Sequence, residues 1–278
     1  MKKIALLGAG GKMGVRLARN LGTTDFDVDH VEVSEEGRQR LKEATGADCV
    51  EPGQAVSRAD IVLLAVPDRA IGDVAHNIID QVRPGTSLVV LDAAAPQAGK
   101  MPERKDVTYF ITHPCHPSIF NYEDSHEKQT DFFGGVAARQ HIVCALMQGP
   151  EEHYAQCEAV ARAIYAPVER AHRCTVEQIA ILEPALSETV GATMCMALRE
   201  ATDRAVSLGV PPQAARDFIL GHLNIELAIA FEEFPEGKFS DGALLAIDNA
   251  KSVLFKEDWL DQVFNMDAIN KSVNDICK

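Results

Sequence analysis

Short apolar runs alternate with stretches of helical period from Ile4 to about Arg173, and this alternation sets the expected architecture. Ile4–Leu7 and Ile61–Val66 are uniformly apolar, as strands buried on both faces of a parallel sheet must be. Val28–Val33, Ser87–Leu91, Thr108–Thr112, His141–Met147 and a short run at Val168–Arg170 read as further strands, with a weaker one at Cys49–Val50. Lys12–Leu21, Arg38–Ala44, Ala70–Gln81 and Glu151–Ile164 space their apolar residues for helices, and Arg83-Pro84-Gly85 stops the third of these. Strands joined by helices imply crossover connections. The expected fold class is therefore α/β, a doubly wound, mostly parallel sheet of the Rossmann type.

After Cys174 the strand signal disappears. Val176–Leu208 reads as one long helix with Pro184 placed to bend it, ended by Gly209-Val210-Pro211-Pro212. Helices over Gln213–Phe234, Asp241–Phe255 and Asp267–Asp275 follow. The expected division is a Rossmann domain over residues 1–173 and an all-helical domain over 174–278.

Composition narrows the partners. A net charge of −14 disfavours nucleic acid and anionic membrane surfaces, which need clustered Lys and Arg. A small anionic substrate stays possible, because a few local positive groups suffice to hold one. The apolar runs are strand-sized, well short of a membrane span. The run after Met1-Lys2-Lys3 is too short for a secretory signal, so a cytoplasmic location is expected. Seven cysteines, scattered and without a CxxC pair, read as free thiols.

Gly8-Ala9-Gly10-Gly11-Lys12-Met13-Gly14 lies between the first strand and the first helix. Such a turn needs glycine to bend tightly, to let backbone approach a pyrophosphate and to pack helix on strand. The phosphates then sit on the N–H groups of the helix N-terminus. The preferred spacing here is Gly8, Gly11 and Gly14, with Lys12 and Met13 in the first helical turn. Glu32, about 20 residues beyond the turn, is placed for the adenosine ribose hydroxyls, with Glu35 as its rival. A carboxylate there repels a 2′-phosphate and favours NAD over NADP, while Arg38 and Arg40 argue the other way. Val66-Pro67-Asp68 ends the fourth strand on the side where ligands bind such sheets, and is expected to lie under the cofactor.

Thr112-His113-Pro114-Cys115-His116-Pro117 follows the sixth strand on that same side. Histidine titrates near neutrality and exchanges protons readily, and a dehydrogenase needs a group to take the hydroxyl proton as hydride leaves. His113 or His116 is expected to do this. Metal ligation by these histidines with Cys115 or a helical carboxylate is the sharper alternative, but the spacing is no standard helical ligand pair. No metal is therefore expected. Nothing in the sequence points to a group that would activate Cys115 as a nucleophile.

The glycine turn, the Val-Pro pair and the helical second half resemble the 6-phosphogluconate, β-hydroxyacid and prephenate dehydrogenase superfamily. More narrowly, the His-Pro-Cys-His-Pro string is similar to that of the D-apionate oxidoisomerase group. So are Cys144-Ala145-Leu146-Met147-Gln148-Gly149, Glu183-Pro184-Ala185-Leu186 and Gly221-His222-Leu223-Asn224. The resemblance covers nearly the whole chain. It implies NAD-dependent oxidation of a branched sugar acid coupled to migration of a carbon substituent. The helical lysine that 6-phosphogluconate and β-hydroxyacid dehydrogenases use is missing, since Glu183–Met196 holds neither lysine nor histidine.

In folds of that superfamily the long helix bears on the substrate, which draws attention to polar residues in its apolar stretch. Glu183, Ser187, Glu188, Thr189 and Thr193 are the exceptions within Ile179–Met196. On an α-helix Glu183 and Glu188, five apart, do not share a face. His222 and Glu226, four apart, do, and a carboxylate that orients a histidine is a familiar arrangement. Glu188 and His222 are expected to hold substrate hydroxyls. Lys251, Arg69 and Arg173 compete for the substrate carboxylate. By analogy with related dehydrogenases, a homodimer through the helices is expected. The alternatives are another hydroxyacid or prephenate-type dehydrogenase, and an NAD-binding protein without turnover.

Overall fold

The structure, a computed structural model, describes residues 2–278. The chain forms two compact units, one of residues up to Ile181 together with Asn270–Lys278, the other of Leu182–Ile269. The division thus falls eight residues later than 173/174, and the last nine residues return to the first unit.

The first unit runs β1 (Lys3–Leu7), α1 (Lys12–Leu21), β2 (Asp27–Val31), α2 (Glu35–Thr45), α3 (Pro52–Arg58), β3 (Ile61–Leu64) and α4 (Asp68–Ile78). It continues with β4 (Ser87–Val90), α5 (Ala94–Gln97), β5 (Thr108–His116), α6 (His126–Thr130), β6 (Gln140–Gln148), α7 (Glu152–Ile164), β7 (Val168–Arg173) and α8 (Val176–Ala180). The strands form one sheet in the order β2-β1-β3-β4-β5-β6-β7. Only the β5–β6 pairing is antiparallel, so the mostly parallel sheet of the sequence reading is present. Every residue of β3 and β4 is buried, as double-sided cover by helices requires.

Three local expectations change. The run at Cys49–Val50 makes only an isolated bridge to His30, and α3 follows it. Pro52 sits in the first turn of α3, where its missing N–H costs nothing, but seven residues are too few to display a helical stripe. Buried Asp29 ties α3 to the sheet through a two-pronged pair with Arg58, both contacts at 2.7 Å. Finally, β5 does not stop at Thr112. β4 ends at Val90, so the later half of β5 has β6 on one side only, and Pro114 there loses no ladder bond.

The second unit holds the C-terminal part of a π-helical segment Ile181–Ala192, then α9 (Thr193–Ser207), α10 (Pro212–Ala230), α11 (Asp241–Leu254), α12 (Trp259–Val263) and the start of α13 (Met266–Ile276). The helical path from Val176 to Ser207 is unbroken, and Pro184 is absorbed by a change of hydrogen-bond register. No helix among the described residues is long and apolar enough to cross a membrane.

Candidate active site

Parallel register lines up Leu7, Leu64, Val90 and Ile111 across β1, β3, β4 and β5. The residues just beyond them therefore emerge together at the carboxyl edge of the sheet, where such folds bind ligands. They include the glycine turn, Val66-Pro67-Asp68, Asp92 and His113.

Packing within the turn requires glycine at three positions, Gly8, Gly10 and Gly14. Gly8 has φ +78°, and a Cβ there would stand 2.3 Å from the Ala65 carbonyl oxygen. A Cβ on Gly10 would lie 2.3 Å from the Gly37 carbonyl oxygen, and one on Gly14 2.0 Å from that of Gly8. At Gly11 the nearest atom would be 3.3 Å away. Gly11 thus caps α1 with only the Gly8 carbonyl pressing on it, while Gly10, absent from the expected spacing, lets α2 pack on the turn. Gly10→Ala is expected to cost about 1–3 kcal/mol of stability, read as a lowered melting temperature, and Gly11→Ala far less. Equal losses in the two would contradict the packing.

No side chain caps α1, so its first N–H groups, including those of Lys12 and Met13, remain for an anion. Lys12 is exposed, whereas the Met13 side chain packs against the core and offers only its backbone. Glu32 follows β2 and turns its carboxylate to the glycine turn. Oε2 accepts from Gly10 N at 3.0 Å, and Oε1 accepts from Val33 N and Ser34 N, each at 2.9 Å. Glu35 lies exposed in the first turn of α2. Arg38 Nε donates to the Glu32 carbonyl and Arg40 Nε to the Gly10 carbonyl, so both expected arginines flank the turn. Val66 packs beside Gly8, and Pro67 and Asp68 open α4.

Asp92, which the sequence reading missed, follows β4. The signal was a polar residue straight after a buried apolar run at a strand's carboxyl end. It is buried, and its Oδ1 accepts from Ala94 N at 2.6 Å. A carboxylate oxygen of Asp92 and a ring nitrogen of His113 lie within 4.8 Å of each other. His113 Nδ1 stands 2.9 Å from the Pro114 carbonyl, which can only accept, so Nδ1 carries a proton and, in the neutral ring, the lone pair falls on Nε2. Desolvation, then the Asp92 charge, pushes the Asp68 carboxyl up, with His113 opposing. The Asp92 charge thus reaches Asp68, which stands exposed at the start of α4.

His116 has a different setting. It takes φ +61° at a bulge in β5, and its Nδ1 donates to the Phe133 carbonyl at 2.8 Å, anchoring the excursion between β5 and β6. Its ring stands edge-on to His113 at 6.1 Å. The Cys115 thiol is pushed up by desolvation and by Cys174, the opposite of an activated nucleophile. Arg173 is committed to Glu151 and to the face of Tyr154, which removes it from competition for a substrate carboxylate.

In the second unit, Glu188 is exposed on the π-helical segment. Hydrogen bonding from i to i+5 brings residues five apart nearly into line, where an α-helix would turn them about 140° apart. Glu183 and Glu188 therefore share a face, contrary to the α-helical expectation. His222 is exposed on α10, stacked on Phe218 at 4.0 Å with Nδ1 on the Phe218 carbonyl, and does not pair with Glu226. Lys251 lies on α11 and Arg69 in the first turn of α4, both exposed.

Comparison with known proteins agrees with this layout. Residues 121–277 match the phosphogluconate dehydrogenase (decarboxylating) C-terminal family, and residues 3–96 the coenzyme F420-dependent NADP oxidoreductase family. A D-apionate oxidoisomerase of Cupriavidus necator is 54% identical over 99% of both chains. One of Blautia hydrogenotrophica is 39% identical, covering 97% of this chain and 94% of its own. A solved structure described as a semialdehyde dehydrogenase NAD-binding protein from Cupriavidus necator, in complex with calcium and NAD, superposes with TM-score 0.97 at 54% identity, covering 99% of each chain. An NADH-preferring ketol-acid reductoisomerase, 17% identical with TM-score 0.71 over 99% of this chain and 85% of its own, shares the fold. The chain belongs to the D-apionate oxidoisomerase family, and its second half to the phosphogluconate dehydrogenase C-terminal family.

Proposed function

We propose that this protein oxidises D-apionate with NAD and rearranges its carbon skeleton, giving 3-oxo-isoapionate and NADH. The Asp92–His113 pair at the carboxyl edge of the sheet carries this reading, in a chain 54% identical to enzymes of that name. NAD seats its pyrophosphate on the N-terminus of α1, and Glu32 faces the adenosine ribose. Hydride passes from a carbinol carbon to the nicotinamide. His113 meets the carbinol oxygen through Nε2, and Asp92 balances the charge that develops there. His116 holds the strand and its excursion, while Glu188 and His222 serve substrate hydroxyls. The calcium of the Cupriavidus structure makes a divalent cation a candidate for this chain too, against the metal-free expectation.

The test is absorbance at 340 nm with NAD and D-apionate, other sugar acids, hydroxyacids and prephenate in parallel. Turnover confined to hydroxyacids or prephenate would overturn the assignment, and tight NAD binding without any turnover would favour a binding protein.

The protein works in the cytoplasm, in keeping with seven free cysteines. A second copy covers its helical unit. α9, α11 and α12 bury no side chain, and a cavity of about 580 Å³ between α9 and α10 is lined by Leu198, Val206, Ile219, Leu220 and Leu223. Sedimentation should give twice the 30.2 kDa chain mass, and a monomer would refute the dimer.

A further inference from the structure

At the sheet edge the buried Asp92 carboxylate stands beside the His113 imidazole, a carboxylate oxygen and a ring nitrogen lying within 4.8 Å of each other. D-apionate is itself an anion, and its rearrangement adds to the load. Once hydride and proton have left, the oxidised carbon is a ketone. The neighbouring tertiary hydroxyl gives up its proton to water, which later returns one to the former ketone oxygen, and one of its carbon's C–C bonds moves with its electron pair to the ketone carbon. That neighbour becomes the new ketone, and the former ketone oxygen takes a proton to end as a hydroxyl. No electrons are gained or lost in this second step, but negative charge passes from one oxygen to the adjacent one. Beside the buried Asp92 carboxylate and the substrate's own carboxylate, that charge is costly without a positive counterpart.

We infer that, in place of direct proton uptake by His113, a divalent cation sits between Asp92 and His113, held by the Asp92 carboxylate and His113 Nε2 and chelated by the two vicinal oxygens of the substrate, whose acidified hydroxyl then loses its proton to water. The geometry suits it. A cation lying about 2.0–2.6 Å from each donor spans donors as far apart as about 5 Å, and a carboxylate oxygen of Asp92 and a ring nitrogen of His113 lie within 4.8 Å. Both ligands are fixed in advance. Asp92 Oδ1 is held by Ala94 N, and the Nδ1 bond to Pro114 turns the His113 lone pair onto Nε2. A carboxylate, an imidazole and hydroxy-acid oxygens suit Mn²⁺, whereas Ca²⁺ would be held chiefly by the oxygens. Bound there, the cation polarises the ketone and accepts the charge as it moves between the oxygens.

This inference rests on the oxidoisomerase reading, so its test includes a readout that needs no turnover. Mn²⁺ binding is followed by loss of the free-ion EPR signal with NAD present, and Ca²⁺ by calorimetry. The whole enzyme is expected to bind one ion per chain, with Asp92→Asn and His113→Gln each weakening binding at least tenfold. Enzyme dialysed against EDTA should lose D-apionate turnover and regain it with Mn²⁺ or Ca²⁺. Near-UV circular dichroism checks the fold of both variants, and should one fail to fold the other still decides. Wild-type enzyme that binds neither ion at millimolar concentration and keeps full turnover after EDTA overturns the inference. His113 then takes the hydroxyl proton directly and the oxidoisomerase reading stands. Ion binding with no turnover of D-apionate by any preparation supports the cation site and removes the substrate assignment instead.

Discussion

His113→Gln is expected to lower kcat for D-apionate by about 10²–10⁴-fold, the range a positioned acid–base group supplies, while NAD affinity changes little. The two effects separate because NAD is held mainly at the α1 turn and Glu32, whereas His113 stands on β5 with β3 and β4 between it and β1. Glutamine keeps a polar side chain of similar reach but has neither a basic nitrogen nor an imidazole ligand. The loss therefore arises whether Nε2 binds a cation or a proton. His116→Gln is the informative contrast. Its Nδ1 bond to Phe133 holds the excursion, so it should lower the melting temperature more than it lowers kcat. Steady-state kinetics and fluorescence titration of NAD check both. A large kcat loss in His116→Gln with His113→Gln unaffected would place the chemistry on the wrong histidine.

The sheet was legible because parallel strands covered on both faces are mostly apolar, as in Ile61–Leu64 and Ser87–Val90, where Ser87 alone is polar. What escaped the sequence depended on neighbours that a linear reading lacks. Pro114 looks like a strand breaker until β4 is seen to end at Val90, leaving that flank unpaired. Gly10 looks dispensable until Gly37 of α2 is found against it, and Gly37 in turn leaves room for the Glu32 side chain. Asp92 has no motif around it and becomes visible only when β4 and β5 are laid side by side. The facing of Glu183 and Glu188 depended on a hydrogen-bond register that sequence periodicity does not encode.

Glu32→Gln is expected to shift the ratio of kcat/KM for NADP over NAD by about 10²–10³-fold toward NADP. A 2′-phosphate would meet the Glu32 carboxylate, and like charges brought together cost several kcal/mol, each 1.4 kcal/mol being tenfold. Removing that charge leaves Arg38 and Arg40, each anchored through Nε to a backbone carbonyl beside the turn, to act on the phosphate unopposed. NAD should suffer as well, because the carboxylate that selects it also accepts from Gly10, Val33 and Ser34. Selection and support of the glycine turn are thus one interaction, and the variant should bind NAD more weakly even where no phosphate is involved. Adding Arg38→Ala to Glu32→Gln should cancel much of the NADP gain. If Glu32→Gln weakens both dinucleotides equally, the carboxylate supports the turn without selecting the cofactor, and NAD preference must arise elsewhere in the chain.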